Sequence, residues 1–241
     1  MTTTVEPFIP GLSRREALTG AEREQMFALL TRHFDGVTRE QFANDLAEKN
    51  WIIQIRHGGR LVGFSTLLVG ELELAGRPLT ALYSGDTIVA PEAWGSPALA
   101  RTWIAAVNFL RSTFDPQPCY WLLLTSGFRT YRFLPLFWRD FYPRFDASTP
   151  EYDRQLLHHL ARARYGSSFD EATGIVRFQH PQKLRDGLGA VPSGRVLDPH
   201  VAFFLARNPG HASGDELACI TEINETNLTA AGRRMAGAAA P

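Results

Sequence analysis

The chain has 241 residues, 44% of them hydrophobic and 21% charged, which is ordinary globular usage and allows one large domain or one domain with an appendage. Lys+Arg and Asp+Glu are equal at 25 each, so no basic surplus points to nucleic acid or an anionic membrane. The apolar runs "WLLLTSGF" and "ALYSGDTIVA" are too short to span a bilayer. No signal-peptide core precedes them, and Cys119 and Cys219 lack CxxC spacing, so a reduced, cytoplasmic compartment is expected.

Residues 1–18 read as an irregular N-terminal arm. Thr19 stands three residues before Glu22, a capping-box pattern that opens a helix with Met26, Leu29, Leu30 and Phe34 at helical spacing. Thr38 with Gln41 repeats the signal for a second short helix. Three strands follow, 51–56, 60–74 and 78–89, joined by the turns "HGG" and "AGRP", as an antiparallel meander. Gly85, inside the third strand, predicts a bulge or a close approach by another group.

The strand ends in "VAPEAWGSPAL". Ser96 suits a helix N-cap and Pro97 the first helical position. Leu99, Trp103, Ala106 and Leu110 then mark one apolar face. "CYWLLLT", 119–125, reads as a buried strand. "RTYRFLPLFWRDFYPRF" is aromatic with helical spacing, and Pro135 must kink it or start a new turn. Beyond Thr149-Pro150, a helix runs to Gly166. "GIVRFQ" is a strand, and "DPHVAFFLAR" is a helix capped by Asp198. "DELACITEI" is a strand and "NLTAAGRRM" a last helical turn, before a tail over 236–241 that should fray.

This order resembles the GCN5-related N-acetyltransferase (GNAT) superfamily over roughly residues 18–146. The resemblance implies an α/β (α+β) fold: a mixed, mostly antiparallel central sheet flanked by helices, with a helical C-terminal extension here. It divides the chain into a core at 19–146 and a portion at 147–235 that completes the sheet and adds helices. The family signature V-x-P-x-x-R/Q-G-x-G-x-G/A falls on residues 89–99. Val89, Pro91 and Gly95 match it. Trp94 replaces the Arg or Gln, and Pro97 and Leu99 replace small residues.

In the family this loop holds the pyrophosphate of acyl-CoA. The resemblance therefore assigns donor binding to Val89, Trp94, Gly95, Ser96, Ala98 and Leu99. A helix start favours anions because its first N–H groups lack partners. Pro97 removes one such donor. The alternative is a satisfied helix start beside a core tryptophan.

The implied reaction moves an acyl group from a thioester to an amine of a small molecule. The donor is acetyl-CoA, a longer acyl-CoA or an acyl-phosphopantetheine on an acyl carrier protein, and no metal is required. Asp86 is the candidate base, with Ser84 acting through water as second choice, both on one face by strand alternation. The family's acid tyrosine aligns with Phe137, which leaves Tyr131 and Tyr142 as candidates or an aromatic core stripe as the alternative. No HExxH, HxxxH or CxxC occurs, so no metal site is expected. The rival reading is a non-catalytic GNAT-like module that binds a ligand or a partner.

Overall fold

Thr19 opens helix α1 (Gly20–His33) as its spacing predicts. Its hydroxyl accepts from the Glu22 amide, and the Glu22 carboxylate accepts from the Thr19 amide, closing the box. The computed structural model describes residues 11–185 and 188–237. Thr38 caps α2 (Arg39–Ala47) through the Gln41 amide at 3.1 Å.

The meander is present as β3 (Trp51–His57), β4 (Arg60–Leu74) and β5 (Arg77–Val89), all antiparallel. Within the expected N-terminal arm, β1 (Leu12–Arg14) adds an edge strand against β3. Local pattern did not show it, because three residues carry no period. It is held by burial of Leu12 and by Arg14, whose guanidinium lies 3.8 Å from the Trp51 ring centroid. The rest of the arm, residues 1–10, and the end of the expected tail, residues 238–241, lie outside the described residues.

Helix α3 (Ala98–Ser112) begins one residue later than the cap reading had it. Pro97 takes the N-cap position, and the Ser96 hydroxyl still accepts from the Ala98 amide at 3.2 Å. β6 (Cys119–Thr125) returns parallel to β5. The aromatic segment is two short helices, α4 (Phe128–Tyr131) and α5 (Phe133–Phe137), rather than one kinked helix. Pro135 supplies no N–H, and Trp138 and Phe141 reach the core only from irregular chain.

α6 (Glu151–Tyr165) ends at Gly166 as expected. The expected strand in "GIVRFQ" shrinks to β8 (Ile175–Val176), paired with β7 (Phe169–Asp170). A two-stranded ribbon joins β2 (Phe34–Asp35) to β9 (Lys183–Leu184). α7 (Ser193–Val196) precedes α8 (Pro199–Arg207), where the Asp198 carboxylate accepts from the His200 amide. β10 (Glu216–Glu222) pairs antiparallel with β6, and α9 (Ala230–Gly237) is the last described helix.

The main sheet is thus ordered β1-β3-β4-β5-β6-β10-β8-β7, antiparallel except at β5–β6. Alternation along the strands decides which helix covers which face. Trp51, Ile53, Leu82, Trp121 and Leu123 pack under α3. Ile52, Phe64 and Ile88 pack under α1 and α2, while Leu122, Leu124 and Ile220 meet α6. Two helical layers therefore sandwich the sheet, and the parallel pair lies at its centre.

Candidate active site

Along β4 and β5 the register runs Ser65 to Thr87 and then Leu67 to Ser84. Gly85 and Asp86 together therefore oppose the single residue Thr66. That is a β-bulge, and it leaves backbone groups outside the ladder. Position 85 must be glycine for reasons of space. A Cβ there would lie 2.6 Å from Thr66 Oγ1 and 2.7 Å from Lys49 Cε, on two buried side chains. Gly85→Ala is expected to cost about 1–3 kcal/mol of stability. Chemical denaturation checks this, and an unchanged midpoint would show that Thr66 and Lys49 move aside freely.

The β5–β6 ladder runs from Thr80–Cys119 to Ser84–Leu123 and stops. The two strands part at the bulge, which opens the sheet at its centre. The bulge also breaks the alternation that placed Ser84 and Asp86 on one face. Ser84 is buried, and its hydroxyl accepts from Trp121 Nε1 at 2.9 Å, among the residues under α3. Asp86 instead lies in the field of Asp45 and Lys49, on the α2 side.

A cavity of about 1450 Å³ passes through this opening. On the α3 side it is lined by Val89, Trp94, Ser96, Leu99 and Arg129. On the other side it is lined by Asp45, Lys49, Tyr83, Asp86, Arg164 and Glu216. Phe178, His180, Leu184, Leu188 and Arg195 also line it.

The far side carries charge that burial perturbs. Burial pushes Asp86 up to about 6, helped by Asp45 and opposed by Lys49. Burial pushes Glu216 up to about 7, with Asp86 and Asp45 adding to it. Lys49 is lowered by burial and then by Arg164. Burial raises Tyr83 to about 12 and holds Tyr165 well above the ordinary phenol range. Asp86 is therefore mostly ionised near pH 7.5 yet retains more affinity for a proton than an ordinary aspartate. That is the property a general base needs.

The near side is shaped by the loop after β5. Trp94 Nε1 donates to the Val89 carbonyl at 2.7 Å, and the ring is 42% exposed. The Arg129 guanidinium sits 4.2 Å from that ring's centroid. The Ala98 amide is satisfied by Ser96, whereas the Leu99 and Ala100 amides have no intrahelical acceptor by position. Gly95 and Ala98 belong to the same turn, though they do not line the cavity.

Tyr131 and Tyr142 stand apart from this assembly, and neither lines the cavity. Tyr131 is fully buried, stacks on Phe204 with ring centroids 5.4 Å apart, and donates its hydroxyl to the Pro143 carbonyl at 2.9 Å. Tyr142 is tied to Ile220 by an isolated bridge beside β10. The structure thus gathers Asp86, Ser84, Val89, Trp94, Ser96 and Leu99, and leaves the two tyrosines in the packing of the core. It also gathers residues the sequence did not single out. Tyr83 was adjacent and visible, but Lys49, Arg164 and Glu216 reach the site only through α2, α6 and β10. Among the described residues no cluster of His, Cys, Asp or Glu could hold a metal ion. None of the described helices is long and apolar enough to cross a membrane.

No protein-family model and no curated protein matches the chain. Some solved structures align with part of the chain. One is a conserved protein of unknown function from Enterococcus faecalis, a probable N-acyltransferase, at 15% identity and TM-score 0.38. That match covers 50% of this chain and 30% of that one. Another is an acyl-CoA N-acyltransferase from Pseudomonas aeruginosa, at 17% identity and TM-score 0.34, over 46% of this chain and 75% of that one. A GNAT family N-acetyltransferase from Escherichia coli, in complex with CoA, is 16% identical at TM-score 0.37, over 51% of this chain and 66% of that one. The fold itself is GNAT-like on its own topology: two helices, a three-strand meander with a bulged last strand, a helix, and a parallel strand that splays from the bulge.

Proposed function

We propose that the chain is a GNAT-like N-acyltransferase that moves an acyl group from a thioester to a small-molecule amine. The observation that carries this reading is the single cavity. It connects the start of α3 with the half-buried Asp86 carboxylate through a gap in the sheet. The donor enters on the α3 side. Its phosphates meet the Leu99 and Ala100 amides, the Ser96 hydroxyl and Arg129, and its thioester lies in the gap beside the bulge. The amine comes from the other side.

In the reaction the amine nitrogen attacks the thioester carbonyl and a new C–N bond forms. Asp86 takes the proton released by the amine. The C–S bond then breaks, and the thiolate leaves and is protonated from water. A backbone amide freed by the bulge at Gly85–Asp86 is placed to polarise the carbonyl. Under this reading residues 19–146 form the donor-binding core, and 147–235 supply the outer wall of the acceptor side. Cys119 and Cys219, free and buried, suit the proposed cytoplasmic compartment.

The donor is acetyl-CoA, a longer acyl-CoA or an acyl carrier protein. A Cβ at Gly95 meets nothing within 4 Å, so Gly95→Val is expected to leave the melting temperature near wild type. Because Gly95 does not line the cavity, this variant should also leave acyl-CoA binding near wild type. Arg129→Ala, at a cavity-lining residue assigned to the phosphates, should instead weaken it by about tenfold to a hundredfold, the value of one charge-assisted hydrogen bond or two. Calorimetry with acetyl-CoA and a long-chain acyl-CoA reads this directly. Thiol release from the same thioesters, with a pool of amines, tests the activity. Thioester binding without thiol release would favour a binding module, and no binding would point to a carrier-borne donor.

A further inference from the structure

The α2 and α6 side of the cavity carries more carboxylate than there is cation free to meet it. Asp86 and Glu216 both line it, from β5 and β10, on either side of the C-terminal end of β6. Among the described residues neither makes an ion pair or a side-chain hydrogen bond, and the nearby Asp45 carboxylate makes none either. The two cations on these walls are engaged. Lys49 Nζ donates to the Asp45 carbonyl at 2.8 Å and lies 3.9 Å from Glu48. Arg164 holds Glu48 at 2.5 Å, with its guanidinium 4.1 Å from the Tyr83 ring centroid. An independent group points the same way. The Tyr165 hydroxyl is buried, lines the same cavity and has no hydrogen-bond partner at ordinary geometry, with the Tyr83 hydroxyl and Arg164 beside it.

We propose that Glu216 is a specificity-determining residue of the acceptor site and that the acceptor is an amine bearing a second ammonium group, one cation set against Asp86 and the other against Glu216. The chemistry rests on the acyltransferase reading, but the binding does not. A half-buried carboxylate with no cation beside it is disfavoured, and a monoamine would leave one of the two in that state. Without a ligand that cost favours the protonated forms, and burial accordingly pushes both Glu216 and Asp86 upward. A dication would displace those protons. Tyr165 and Tyr83, both protonated at neutral pH, offer phenol oxygens that accept hydrogen bonds from its ammonium groups.

The test is calorimetry on the full chain with no acyl donor. The probes are 1,3-diaminopropane through 1,6-diaminohexane, with butylamine and 4-amino-1-butanol as single cations. Titrations near pH 7 are repeated in buffers of different ionisation enthalpy to count released protons. At least one diamine is expected to bind about tenfold or more tightly than either single cation, with net proton release. Glu216→Gln should remove most of that advantage and reduce the proton release. Butylamine binding as tightly as every diamine, or no binding by any diamine, would overturn the proposal without reference to any variant. A full diamine advantage retained in a folded Glu216→Gln protein would overturn the role of Glu216. Absence of thiol release in the separate donor assay would count against the acyltransferase reading and leave this result readable.

Discussion

Asp86→Asn is expected to lower the acyl-transfer rate by about two orders of magnitude, with donor affinity nearly unchanged. The substitution keeps size and hydrogen-bonding capacity but removes the proton acceptor. Asp86 stands on the bulge where β5 and β6 part, so it borders the gap assigned to the thioester and the cavity assigned to the amine. The proposed donor site is built from the start of α3 and does not involve it. The loss should shrink as pH rises, because the amine then gives up its proton unaided. Wild-type activity should rise as pH climbs past about 6, where Asp86 becomes ionised. A steady-state pH profile of both proteins decides the matter. A parallel, pH-independent drop would mean that Asp86 shapes the site rather than accepting a proton.

The ligand-free protein should lose stability as pH rises from about 4 to about 7, and this is the second large effect. Asp86 and Glu216 titrate at about 6 and about 7 in the folded protein, against ordinary values of 3.8 and 4.5. Below pH 4 folded and unfolded chains both hold these protons, so the groups contribute nothing. Between the two ranges the unfolded chain has released protons that the folded chain still binds, so unfolding becomes easier with each step in pH. Each group accounts for on the order of 3 kcal/mol at pH 8. Other carboxylates, such as Asp146 held down by Arg144, pull the other way. The informative quantity is therefore the difference between wild type and the double variant Asp86→Asn with Glu216→Gln. Denaturation should find the double variant more stable by several kcal/mol at pH 8 and nearly equal at pH 4. Equal curves throughout would show that the carboxylates are solvated as ordinary surface groups.

Local chemistry was readable in the sequence wherever it is decided within a few residues. The Thr19–Glu22 box, the Asp198 cap and the stop at Gly166 all stand where their spacing places them. Gly85 inside an apolar strand marked the bulge, because no other residue fits against Thr66 and Lys49. The face assignment of Asp86 failed for the same reason, since a bulge inserts one residue and shifts every later side chain. Glu216 lay beyond reach. It opens a strand whose pairing with β6 spans nearly a hundred residues, and no short-range pattern carries that register. Lys49 carried no local signal, yet its side chain is only 4% exposed, packed beside Gly85 of the bulge. Tyr131 and Tyr142 had the right chemistry for a proton donor. The chain breaks between α4 and α5 at Arg132, where Tyr131 ends α4 and packs into the core against Phe204, while Tyr142 is bridged to Ile220.

The central claim is that thioester and amine meet through the gap between β5 and β6. Thiol release measured with purified protein, acyl-CoA thioesters, S-acetyl-pantetheine and the diamine series tests it most directly. Release that needs both thioester and amine, and that falls about a hundredfold in Asp86→Asn, is the predicted result. Amine-independent release, or none from any thioester in a folded protein, would contradict it.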